Sequence, residues 1–117
     1  SGPNAVNRLL VDTSLWIETF RSGSVFKLSE CVDLDDVVTC APVIQEVLQG
    51  FRSDVAAERA RQAMCAMPVL ADPAPATLWI EASALYREGR RRGVTVRSSV
   101  DCLIAAIALR HGAVVLH

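Results

Sequence analysis

Lysine is almost missing from this chain: eleven of its twelve basic residues are arginine, and Lys27 is the exception. Aromatic residues are scarce too, at 5%. The core must therefore be assembled from Ala, Val, Leu and Ile, which suits layers of sheet and helix. No apolar run approaches the ~18 residues of a membrane span. There are only two histidines, and the cysteines (Cys31, Cys40, Cys65 and Cys102) form no Cys-x-x-Cys pair, which argues against a structural zinc site. Each cysteine has apolar neighbours in sequence, as buried thiols do, and the set reads as that of a protein in a reducing cytoplasm.

What is present points to an ordinary globular domain. Apolar residues make up 51% and charged residues 21%, which excludes disorder, collagen-like repeats and a disulfide-stapled miniprotein. A chain of 117 residues holds one domain. Residues 1–7, opening Ser1-Gly2-Pro3-Asn4-Ala5, read as a tag scar and tail, and 8–117 as a single domain. The net charge of −1 excludes a general polyanion-coating protein. It conceals a local asymmetry, because Arg87, Arg90, Arg91, Arg92 and Arg97 fall within eleven residues. That stretch is either a solvated helix face or an edge that binds phosphates, whose oxygens match the guanidinium fork.

Short β-branched or aliphatic runs alternate with helical patterns. Leu9-Leu10-Val11, Val37-Val38-Thr39-Cys40, Val69-Leu70-Ala71 and Ala113–Leu116 read as strands. A helix follows the first strand from Asp12-Thr13-Ser14 and stops at Ser22-Gly23. A second short helix is expected within 25–33. Another runs from Pro42 to Gly50, an Ala-rich one from Ser53 or Asp54 to about Met67, and a long one from Pro75 to about Arg92. The last, nearly all apolar, starts at Ser98 or Ser99 and runs to Arg110 before Gly112. This alternation predicts an α/β fold with a parallel sheet covered on both faces; an all-helical bundle is the competing architecture.

In such a sheet ligands bind beyond the carboxyl ends of the strands. Asp12 directly follows strand one. Glu46 lies one turn into the helix after strand two. Asp101 lies in the first turn of the last helix, which must run antiparallel to strand four and so returns to the same rim. Each acid also has a plainer role: Asp12 as a helix cap, Asp101 as the acidic member of a Ser98-x-x-Asp101 capping box, Glu46 as a surface residue. Together they are expected to converge, and carboxylates held close repel unless a cation neutralises them. A hard divalent ion such as Mg²⁺ or Mn²⁺ suits that set, and its chemistry is metal-activated water attacking a phosphodiester.

The chain resembles the PIN-domain ribonucleases and, within them, the VapC-type toxins of bacterial toxin–antitoxin pairs. The resemblance is carried by Leu10-Val11-Asp12-Thr13-Ser14-Leu15-Trp16-Ile17, Val43-Ile44-Gln45-Glu46-Val47-Leu48-Gln49-Gly50 and Val100-Asp101-Cys102-Leu103-Ile104-Ala105-Ala106-Ile107-Ala108. It spans residues 9–117. It implies a three-layer α/β/α sandwich around a central parallel sheet. Asp12, Glu46 and Asp101 match the family's acidic positions, and Thr13 and Ser14 its polar position, Ser14 being the one expected to bond into the site. It further implies an Mg²⁺- or Mn²⁺-dependent endoribonuclease, a homodimer, a cognate VapB-type antitoxin, and transfer or ribosomal RNA as target. The family adds a further acid just after the last matched strand. The sequence stops at His117, where that run would begin, so either it is truncated there or this copy lacks the fourth acid.

Two other functions compete. One is a non-catalytic module of the same fold that binds RNA or a protein partner. The other is a phospho-receiver or phosphohydrolase with Asp12 as nucleophile; the Ser at position 14 and the placement of Lys27 ahead of strand two speak against it. The remaining acids Glu18 and Glu81 read as helix-surface groups, and Asp33, Asp35 and Asp36 as a solvated turn. His111 suits a helix C-terminus. Trp16 and Trp79 read as core or dimer-interface residues rather than base-stacking platforms.

Overall fold

The computed structural model describes residues 8–21, 27–95 and 98–117. Strand β1 (Leu9–Val11) leads into helix α1 (Thr13–Phe20); two single-turn 3-10 helices, Leu28–Glu30 and Leu34–Asp36, precede β2 (Val37–Cys40). Helices α2 (Ala41–Gln49) and α3 (Asp54–Cys65) lead to β3 (Val69–Leu70), and α4 (Ala76–Arg91) and α5 (Ser99–His111) to β4 (Val114–Leu116). The four strands form one parallel sheet in the order β3-β2-β1-β4. Helices cover it as a three-layer α/β/α sandwich, and no described helix is long and apolar enough to cross a membrane.

The elements follow from local chemistry. All four residues of β2 are buried, as expected of an inner parallel strand covered on both faces. Pro42 sits in the first turn of α2, where its missing N–H costs nothing. The Ser53 hydroxyl caps α3 by accepting from the Ala56 amide. Gly112 takes the left-handed conformation (φ 62°) that ends α5 and turns the chain into β4. The core gathers Leu10 and Val11 from β1, Val43 and Val47 from α2, Met64 from α3, Leu78 from α4 and Ile107 from α5.

Several expectations needed correction. The strand at 69–71 stops at Leu70, because Ala71 has a positive φ of 55°. The single short helix expected within 25–33 is the 3-10 turn Leu28–Glu30, with a second turn capped by Asp33, whose carboxylate accepts from the Asp35 amide. Cys31 and Cys65 are exposed; only Cys40 and Cys102 are buried. Of the two tryptophans read as core or dimer interface, Trp16 is a core residue and Trp79, 52% exposed, is not part of the core of this chain. The tail 1–7, the stop at Ser22-Gly23 and Arg97 lie outside the described residues.

Candidate active site

Sheet order places a topological switch beside β1. The chain leaves β1 towards β2 on one side, and β4 returns on the other. At such a point loops diverge and open a crevice beyond the strands' carboxyl ends. Asp12 is the residue that follows β1 there. Its amide donates to the Leu116 carbonyl at 2.8 Å, which ties the end of β1 to the end of β4.

The Asp12 carboxylate does not serve as a side-chain cap for α1, although the residue occupies the cap position. Instead the Ser14 hydroxyl donates to Asp12 Oδ2 at 3.0 Å. The neighbouring Thr13 hydroxyl donates to Glu46 Oε1 at 2.9 Å, across from α1 to α2. Two consecutive hydroxyls at the start of α1 therefore each hold one carboxylate. Both pairs follow from helix geometry: successive residues at a helix start point about 100° apart, so neighbours address different sides.

Asp101 sits in the first turn of α5. Its amide donates to the Ser98 hydroxyl at 3.2 Å, the capping interaction the spacing predicts. The negative side chain there also favours the positive end of the helix. Asp12 and Asp101, 89 positions apart in sequence, line one open cleft of about 330 Å³ with Ile104, Ala105, Val115 and His117. From the sequence His117 reads as able to face the site or as solvent-exposed; its position just after β4 places it beside Asp12.

Glu46 does not line that cleft. It faces a neighbouring one of about 390 Å³, bordered by Gln45, Gln49, Trp79, Val100 and Leu103. The α5 helix separates the two, with Asp101, Ile104 and Ala105 on one side and Val100, Leu103 and Ile107 on the other. Among the described residues, no three His, Cys, Asp or Glu side chains form a group that could hold a metal ion. A closed cage of three carboxylates is thus not what the residues build. Asp12 and Asp101 on one open cleft fit a hard cation that keeps waters and takes one or two protein carboxylates, as Mg²⁺ does.

The four described arginines of the 87–97 stretch lie elsewhere. Arg91 and Arg92 both pair with Glu88, at 3.1 and 2.9 Å. The Arg90 guanidinium sits 5.6 Å over the Tyr86 ring, and Arg87 lines a third cleft with Trp79 and Tyr86. None of these four lines the cleft of Asp12 and Asp101. Among the other acids, Glu18 pairs with Arg21, and Glu81 on α4 with Arg110 on α5.

The comparisons with known proteins agree with this architecture. The PIN domain family model matches residues 9–117. The VapC ribonuclease Mb1587 of Mycobacterium bovis and ribonuclease VapC11 of Mycobacterium tuberculosis are each 37% identical over 114 residues, covering 93% of this chain and 84% of the relative. Among solved structures, FitAcB from Neisseria gonorrhoeae superposes with a TM-score of 0.65 at 20% identity, covering 92% of this chain and 84% of that one. FitAB bound to an IR36 DNA fragment gives 0.63 at 20% identity, over 92% and 82%. These two likenesses speak to the fold. With the family model matched along nearly the whole described chain and curated relatives at this identity, the chain belongs to the PIN-domain family, among its VapC-type ribonucleases.

Proposed function

We propose that this chain is an endoribonuclease toxin that hydrolyses RNA phosphodiester bonds with the help of Mg²⁺ or Mn²⁺. The observation that carries the reading is the meeting of Asp12 and Asp101 in one open cleft at the sheet's switch point. Its curated relatives are named ribonucleases. Asp12 and Asp101 would hold the cation, with Glu46 adjoining. When bound, such an ion supplies an activated water and charge stabilisation for an in-line displacement at phosphorus.

The chain's own residues do the positioning. Ser14 fixes the Asp12 carboxylate, and the link from the Asp12 amide to Leu116 fixes its backbone. Thr13 restrains Glu46 beside the neighbouring cleft. Ser98 sets the first turn of α5 and with it Asp101. The cleft is open, so a polymer can lie across it without threading. The same reading takes a cognate VapB-type antitoxin and a second copy of the chain as partners, transfer or ribosomal RNA as target, and the cytoplasm as the place of action.

The test is cleavage of defined RNA pools by the full-length protein with Mg²⁺ or Mn²⁺, with chelator and Asp12→Ala as controls. Metal-dependent cleavage lost in the variant is expected. No cleavage of any pool, or equal cleavage by Asp12→Ala, overturns the proposal. A second reading, a non-catalytic binding module, draws on the absence of a three-ligand group among the described residues. Calorimetry showing tight RNA or partner binding with no uptake of divalent ions would favour it.

A further inference from the structure

Trp79 is half exposed on α4, although the chain has few aromatic residues to spare for its surface. It forms a wall of two clefts at once. One also contains Glu46, Gln45 and Gln49; the other, of about 310 Å³, contains Tyr86, Arg87 and Ser83. The two clefts therefore meet at the indole and make a path along α4 that begins beside Glu46. Tyr86 lies two turns further on, about 10 Å along the helix axis. It too is exposed, and the Arg90 guanidinium stands 5.6 Å over its ring.

Charge at the Tyr86 end of this path favours an anionic occupant, while the Glu46 carboxylate sits at its other end. Arg87 lines it and has no ion-pair partner among the described residues. The acids of α4 are already engaged, Glu88 by Arg91 and Arg92 and Glu81 by Arg110. Exposed rings spaced along a groove with arginines beside them are the means by which proteins hold single strands: bases stack on the rings and guanidinium groups meet the phosphates.

Resting on the proposed ribonuclease function, we infer that the α4 face from Trp79 to Arg90 is a track for single-stranded RNA outside the Asp12–Asp101 cleft, starting on the Glu46 side of α5, with one base stacked on Trp79 and another at Tyr86. Trp79 and Tyr86 act here on RNA binding. They take no part in bond cleavage.

The experiment is a fluorescence titration of the full-length chain with a single-stranded oligouridylate, without divalent metal. Trp16 is buried and Trp79 is not, so RNA stacked on Trp79 quenches the exposed component of the emission. The quench is expected to vanish in Trp79→Phe while anisotropy still detects binding. Trp79→Ala and Tyr86→Ala should each weaken binding about five- to thirtyfold. Arg87→Gln should lower the salt slope by about one. In cleavage assays all three should raise KM with kcat unchanged.

RNA bound without a quench, or an unchanged KM in Trp79→Ala and Tyr86→Ala, overturns the track and leaves the nuclease reading standing. Dissociation of a dimer by Trp79→Ala with RNA affinity unchanged also overturns it, by assigning this face to a second copy. A quench with no cleavage under any metal supports the track and removes the nuclease reading instead.

Discussion

Replacing Thr13 by Val removes one hydroxyl and keeps the shape and branching of the side chain. The hydroxyl donates to Glu46 Oε1 at 2.9 Å, linking the first residue of α1 to the middle of α2. A hydrogen bond to a charged acceptor contributes about 1.5–3 kcal/mol when shielded. Thr13 and Glu46 are both only half-buried, so water competes for each partner and the contribution falls to the bottom of that range or just below it. We expect a loss of about 1–1.5 kcal/mol, or a fall in Tm of about 4 °C for a domain of this size.

A double-mutant cycle isolates the pair. Urea unfolding of the wild type, Thr13→Val, Glu46→Ala and the double variant should give a coupling of about 1 kcal/mol. Stabilities that add to within about 0.3 kcal/mol would show that the bond is not made in solution, and with it the argument that Thr13 restrains Glu46 would fall. Under the nuclease reading, Thr13→Val should also slow cleavage about tenfold, the usual cost of losing a group that orients a site carboxylate.

Two further outcomes test the fold around the site. Gly112 has φ 62°, and an added Cβ would meet no atom within 4 Å, so Gly112→Ala should cost only the backbone penalty of about 1–2 kcal/mol. Gly112→Asn should cost less, since Asn tolerates this conformation; an Ala variant as stable as wild type would refute the left-handed turn between α5 and β4. The Cys40 thiol is pushed above its ordinary value of 9.0, chiefly by burial, which outweighs the lowering effect of the Val43 backbone hydrogen bond and is joined by a smaller contribution from the Glu46 charge. Its neutral form is favoured by folding, so its contribution to stability is full below pH 9.0 and is lost as pH rises through the raised value. Thermal unfolding across alkaline pH should therefore fall less steeply for Cys40→Ala than for wild type, and thiol labelling of the native protein should reach Cys31 and Cys65 well before Cys40 and Cys102.

Much of the architecture was legible because it is written in local pattern. Leu9-Leu10-Val11 and Val37–Cys40 are strands with the expected bounds, and Ser53, Ser98 and Gly112 begin or end helices as their chemistry dictates. Where local pattern failed, a conformational detail invisible to composition decided, such as the positive φ of Ala71 that cuts β3 to two residues. Cysteine burial was misjudged for the same reason. Apolar neighbours in sequence do not fix which side of a helix or turn a thiol occupies, and Cys31 and Cys65 turn outward.

The sequence by itself nominated Asp12, Glu46 and Asp101 as candidates, because Asp12 follows β1, Asp101 lies in the first turn of α5 and Glu46 stands about one turn into the helix after β2, near the rim where ligands bind in such sheets. Only the tertiary structure decided how they are shared out. The order β3-β2-β1-β4 sets α5 between two clefts, so Asp12 and Asp101 face one and Glu46 the other, while Thr13 and Ser14 divide the two carboxylates of their neighbourhood. Trp79 was decided the same way. From the sequence Trp79 reads as a core or dimer-interface residue, and only the packing of α4 against α5 decides that it is not core and leaves the indole at the surface between Glu46 and Arg87.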